Sequence, residues 1–122
     1  MSEQEYRECS FGELEGTLND GGSIQGLKII EGGTFNKNEF GYLRLLHFKF
    51  EKEIVFNGIE FTKEVEFNDC IFEENVKFYK ADFNTEITFR NCFFKKSLKF
   101  YNCIFNSFRL IGGEYKDVLF TG

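Results

Sequence analysis

Four cysteines, one histidine and twenty carboxylates are the residues of this 122-residue chain whose types could do chemistry. Cys9, Cys70, Cys92 and Cys103 would suit zinc if two stood two to four residues apart, the spacing that lets neighbouring thiolates reach one ion. None do, and the single His47 has no partner motif. His47 would serve as a general base if a Ser, Cys or carboxylate were fixed beside it, and the surrounding pattern places none there. The pairs Gly21-Gly22, Gly32-Gly33 and Gly112-Gly113 would cradle phosphate if one followed a strand and opened a helix, and none reads that way. These residues indicate no catalytic group, no metal and no cofactor, so the chain is expected not to be an enzyme.

What recurs is phenylalanine. Eighteen Phe stand beside five Tyr, with no Trp and no Pro. From residue 50 they fall at 50, 56, 61, 67, 72, 78, 83, 89, 94, 100 and 105, in alternating steps of six and five. The residue two before each is apolar too: Phe48, Ile54, Ile59, Val65, Cys70, Val76, Ala81, Ile87, Cys92, Leu98 and Cys103. Carried outward in steps of five to seven, the register takes in Phe11, Leu18, Ile24, Ile29, Phe35, Phe40 and Leu45, with partners Cys9, Gly16, Gly22, Leu27, Gly33, Asn38 and Leu43. Beyond Phe105 it takes in Leu110, Tyr115 and Phe120, with partners Phe108, Gly113 and Val118. These twenty-one units occupy nearly the whole chain.

Each unit reads apolar, polar, apolar, then two or three polar or small residues, as in Val65-Glu66-Phe67-Asn68-Asp69. Alternation sends the outer two side chains to one face of a short strand. Asn57-Gly58, Asn68-Asp69, Asn91 and Asn102 follow, residue types that tolerate the left-handed backbone of a tight corner. The longer steps add a polar residue at Glu53, Glu64, Asn75, Glu86 or Ser97, which should bulge outward. A three-residue strand cannot bury its apolar face alone, so the units must coil and stack. Three units per turn would lay every five-step over a six-step. Four per turn give 22 residues and stack like on like: Phe61 over Phe83 over Phe105, Phe56 over Phe78 over Phe100. The fold class expected is all-β, a right-handed quadrilateral β-helix of about five coils, right-handed because parallel crossovers are. At ~4.8 Å per strand the column is about 24 Å tall, and its interior has no room for a ligand. All four cysteines fall at the inward site two before a column residue. Cys70 and Cys92 become vertical neighbours whose bridging on oxidation would be strained.

Ala81-Asp82-Phe83-Asn84-Thr85, with Cys70-Ile71-Phe72 and Cys103-Ile104-Phe105, resembles the repeat unit of the pentapeptide-repeat proteins over roughly residues 9 to 120. The resemblance implies a right-handed quadrilateral β-helix. The sequence departs from the family in its six-residue steps and in having little Leu at the column site. Residues 1–8 read as a polar segment that can cap the N-terminal end, with a Ser2-to-Glu5 capping spacing, and residues 9–122 as the β-helix domain. The seven-residue step from Phe11 to Leu18 fits an irregular strand or a short helix.

Charge is uneven: residues 1–50 carry −3, residues 51–86 carry −6 and residues 87–122 carry +4, for a net −5. The 22-residue register puts Glu73 against Lys95 and Glu74 against Lys96, and Arg90, Lys95, Lys96 and Lys99 form a candidate docking patch. No run is long enough to span a membrane and Met1 to Ser10 has no signal-like pattern, so a cytoplasmic protein is expected, without membrane or nucleic-acid partners. The function expected is a non-catalytic scaffold whose faces bind another, unidentified protein. The alternative, implied by the family resemblance, is a DNA mimic that binds DNA gyrase and confers quinolone tolerance. Matching duplex DNA over this height needs roughly 14 negative charges, far more than the net charge supplies. The last coil, with Phe108, Leu110, Tyr115, Val118 and Phe120, is expected to leave apolar surface and a strand edge open, and to form a homodimer interface.

Overall fold

The structure, a computed structural model, describes residues 6–18 and 22–122. Among them one helix and seventeen short strands follow one another, and the strands pair in parallel with the strand one turn away. Phe83 pairs with Phe61 and with Phe105, and Phe78 with Phe56 and with Phe100. The chain is a β-solenoid of about five turns.

It has four faces, each named here for the Phe at its centre in the middle coil. The Phe67 face stacks Gly22–Gln25, Leu43–Leu46, Val65–Asn68 and the second halves of Asp82–Arg90 and Ile104–Ile111. The Phe72 face stacks Arg7–Cys9, Leu27–Ile29, Lys49–Phe50, Ile71–Phe72 and Phe93–Phe94. The Phe78 face stacks Gly33–Phe35, Ile54–Asn57, Val76–Tyr79, Ser97–Tyr101 and Asp117–Thr121. The Phe83 face stacks Glu39–Phe40, Glu60–Phe61 and the first halves of the two long strands. Inside, rings stack within a column and meet edge to face between columns, the two arrangements the aromatic quadrupole favours. Phe56 and Phe78 are 4.6 Å apart at 5°, and Phe78 meets Phe83 at 63°.

The unequal steps are two kinds of corner. Leaving the Phe67 face, the second residue past the column has positive φ at Gly26, His47, Asp69, Asn91 and Gly112, and leaving the Phe78 face the same holds at Gly58, Lys80 and Asn102. These are five-residue steps, closed by one left-handed residue except at the last, where Gly112 and Gly113 both have positive φ. The six-residue steps leaving the other two faces contain no positive φ among the described residues and use the additional residue to turn. In the last coil the five-step from Phe105 to Leu110 lies over the six-step from Phe83 to Phe89, and the ladder slips between Phe83 and Glu86.

The N-terminal register differs from the repeat pattern. Residues Phe11–Leu18 form a helix where the count had placed two units. Ser10 Oγ accepts from the Glu13 N–H at 3.1 Å and Glu13 Oε1 accepts from the Ser10 N–H at 2.9 Å, a reciprocal cap that satisfies two otherwise orphaned donors. Leu14 and Leu18 are buried. Phe11 packs on Phe35 with ring centres 4.5 Å apart and planes tilted by 43°, in space left by Gly33, where a Cβ would fall 2.5 Å from the Phe11 ring. Because the helix interrupts the count, Cys9 pairs with Ile29 and so occupies a column site, not the site two before one. Asn38 is exposed rather than inward, where its amide would lack partners. The Ser2-to-Glu5 spacing lies outside the described residues.

Candidate functional site

Three of the four thiols, Cys9, Cys70 and Cys92, lie in the packed interior. Cys70 and Cys92 are fully buried free thiols, donating to the Asn68 and Phe67 carbonyls, each at 3.4 Å. Burial pushes the Cys70 thiol well above its ordinary value, and burial also raises Cys9 and Cys103. Among the described residues no three His, Cys, Asp or Glu side chains converge on a metal position. His47 stands at a left-handed corner with the Tyr6 ring stacked on it at 4.4 Å, and its Nε2 is buried without a hydrogen-bond partner among the described residues. Among the described residues no acid or nucleophile is bonded to it.

What the solenoid presents to solvent is its outward rows. On the Phe67 face, Glu66 is held between Arg44 at 3.2 Å and Arg90 at 2.8 Å, and Arg109 reaches Glu86 at 3.4 Å. On the Phe72 face, Glu73 lies between Lys49 at 3.4 Å and Lys95 at 3.0 Å. The Phe78 face places Lys77 beside Lys99, and Tyr79 and Tyr101 stack at 4.6 Å. The Phe83 face aligns Glu39, Glu60 and Asp82 on three coils, an acidic ladder that ends at Ile104 on the next.

The four residues of the candidate docking patch are spread over these surfaces. Arg90 lies on the Phe67 face, Lys95 and Lys96 just past the last strand of the Phe72 face, and Lys99 on the Phe78 face. Three are engaged, Arg90 with Glu66, Lys95 with Glu73 and Lys96 with Glu74 at 3.1 Å. The register had placed the last two pairs in contact. In the final coil Phe108, Leu110, Tyr115 and Val118 are half-buried and Phe120 is 52 % exposed. Phe108 and Phe120 meet edge-on at 5.3 Å, while Tyr115 stacks on Phe94 at 5.7 Å, so the structure brings these residues to one end. Sequence reasoning missed Phe93, outward and 42 % exposed. Its signal was a Phe in the row otherwise read as Lys28, Lys49 and Ile71.

Residues 56–104 match the family described as pentapeptide repeats (9 copies). No curated protein and no solved structure matches the chain. Among the described residues no helix is long and apolar enough to cross a membrane.

Proposed function

We propose that this chain, a member of the pentapeptide-repeat family, is a non-catalytic scaffold that binds another protein through its flat outer faces. The observation that carries this reading is the filled interior. The column from Phe35 through Phe56 and Phe78 to Phe100 is at most 2 % exposed, which leaves binding to the rigid outer rows. Solenoids of this kind present large preformed surfaces, and a preformed surface loses little entropy on docking. Two copies join through Phe108, Leu110, Tyr115, Val118 and Phe120, because a second copy covers both the apolar end and its strand edge. A cytoplasmic location belongs with this reading, since buried thiols one coil apart stay reduced there. The immobilised chain, exposed to an extract of its source cells, should retain one protein that then co-elutes with it at fixed stoichiometry. Absence of any stoichiometric partner would overturn the reading.

The gyrase alternative is ranked lower. The acidic ladder of Glu39, Glu60 and Asp82 has three rungs, and on two other faces glutamates are neutralised by Arg44, Arg90, Lys49 and Lys95. In a supercoiling assay little or no protection of gyrase from a quinolone is expected, and potent protection at sub-micromolar concentration would reverse the ranking.

A further inference from the structure

The Phe72 face ends differently from its neighbours. Ile104–Ile111 and Asp117–Thr121 pair along their length with the coil below, whereas over Phe93–Phe94 the last coil contributes one bridge, Phe93 to Glu114. The cause is Gly112-Gly113. Both have positive φ, and a Cβ on Gly113 would fall 2.1 Å from the Cys92 carbonyl oxygen. The backbone therefore runs tight against Cys92 there, and only past Glu114 does it reach the strand that closes the coil on the next face. The result is an open groove of about 670 Å³ beside Phe93.

Its floor is apolar and its rim is charged. Ile71 and Phe93 lie in register in the outward row, and among the described residues Phe93 and Phe120 are the exposed phenylalanines. Lys49 and Lys95 both approach Glu73, two ammonium groups on one carboxylate. The hydrogen bond from Lys95 holds the Glu73 carboxyl below its ordinary range, so Glu73 stays ionised and one ammonium charge is left to be matched. Lys116 and Glu114 face the groove from the last coil and offset each other, so the groove is net positive by one.

We propose that this groove binds an extended acidic peptide segment of the partner protein, with one aromatic or branched side chain over Phe93 and Ile71 and a carboxylate against the Lys49 and Lys95 ammonium groups that share Glu73. This rests on the scaffold reading and assigns it a site and a chemistry. The groove opens to solvent rather than being enclosed, which suits a peptide segment better than a buried small molecule. An outward Phe between lysines provides the desolvated anchor and the charge complementarity that interfaces use for affinity and orientation. The groove lies on a side of the column and meets the end through which two copies join at Tyr115, which lines it.

The test is a titration of isotope-labelled protein with acetyl-Asp-Phe-Asp-amide, and with acetyl-Lys-Phe-Lys-amide as control, followed by NMR at the Ile71 methyl and Phe93 ring signals. Saturable shifts confined to the groove are expected for the acidic peptide, with a millimolar Kd suited to so small a ligand. Lys95→Glu should weaken binding about tenfold, and Phe93→Glu should abolish it; unchanged melting temperatures confirm that both variants are folded. No saturable shift, equal response to both peptides, or shifts that Phe93→Glu leaves intact would overturn the site. Saturable shifts centred on another face would overturn it too, while leaving the scaffold reading standing.

Discussion

The rings of Phe61 and Phe83 lie 4.9 Å apart with planes 2° from parallel, and the two residues are strand partners on successive coils. Backbone pairing and ring stacking thus share one repeat. A strand spacing of ~4.8 Å is also a good distance for stacked aromatic rings, so a parallel ladder of Phe satisfies both without distorting either. This coincidence explains how a chain so rich in Phe forms a narrow column.

Phe83 also contacts Phe105 in its own column and Phe78 and Phe100 edge-on. Phe83→Ala is expected to cost about 3–5 kcal/mol, because coils held apart by neighbouring rungs cannot collapse into the cavity. Phe93→Ala, one row away but outward, should stay within about 1 kcal/mol. Urea unfolding of both variants checks the contrast, and equal losses would contradict the inward and outward assignment.

Glu73 titrates lower in the folded chain than unfolded, through its bonds to Lys95 and then Lys49. Its stabilisation is therefore present above the ordinary carboxylate range and is lost as pH falls through the lowered value. The lysines are partly exposed, so Glu73→Gln should cost no more than about 1 kcal/mol near neutral pH. The difference in Tm from the parent should close in acid; a difference that persists there would mean the loss is one of packing.

The thiols are expected to be inert and the fold independent of metal. Cys70 and Cys92 are sealed inside, and Cys103, at the open end, is half-buried. A thiol reagent should label Cys103 ahead of the other three, and a chelator should leave Tm unchanged. Rapid labelling of all four, or a large drop in Tm with chelator, would contradict this.

Sedimentation equilibrium should give about twice the 14.4 kDa monomer mass, and Phe120→Glu should shift it toward one. Phe120 stacks on Phe100 at 5.0 Å while leaving 52 % of its surface exposed, so a carboxylate there would be desolvated by the second copy. A monomeric parent, or a dimer indifferent to the change, would remove the interface.

The central coils were legible because one residue type marks every inward column, so counting Phe gave the 22-residue turn and with it the contacts of Glu73 with Lys95 and Glu74 with Lys96. The partnership of Arg90 with Glu66 was not, because these side chains reach diagonally across 24 residues, and side-chain length rather than backbone register decides that. Cys9 was misplaced because a helix advances by a different rise per residue, so no count carries through it. Ser10 and Glu13, three apart ahead of Leu14, were the available sign of that helix. The groove at Phe93 depends on a coil that fails to add a strand, which the pair Gly112-Gly113 signals only once the backbone of Cys92 is seen against it.

The scaffold reading predicts that one face carries the partner. Arg109→Glu, Phe93→Glu, Lys99→Glu and Glu60→Lys each change an outward residue on one of the four faces. The affinity of the captured protein for these four chains, measured side by side, is the direct test. One variant should lose tenfold or more while the other three bind like the parent, and four unchanged affinities would contradict binding through the faces.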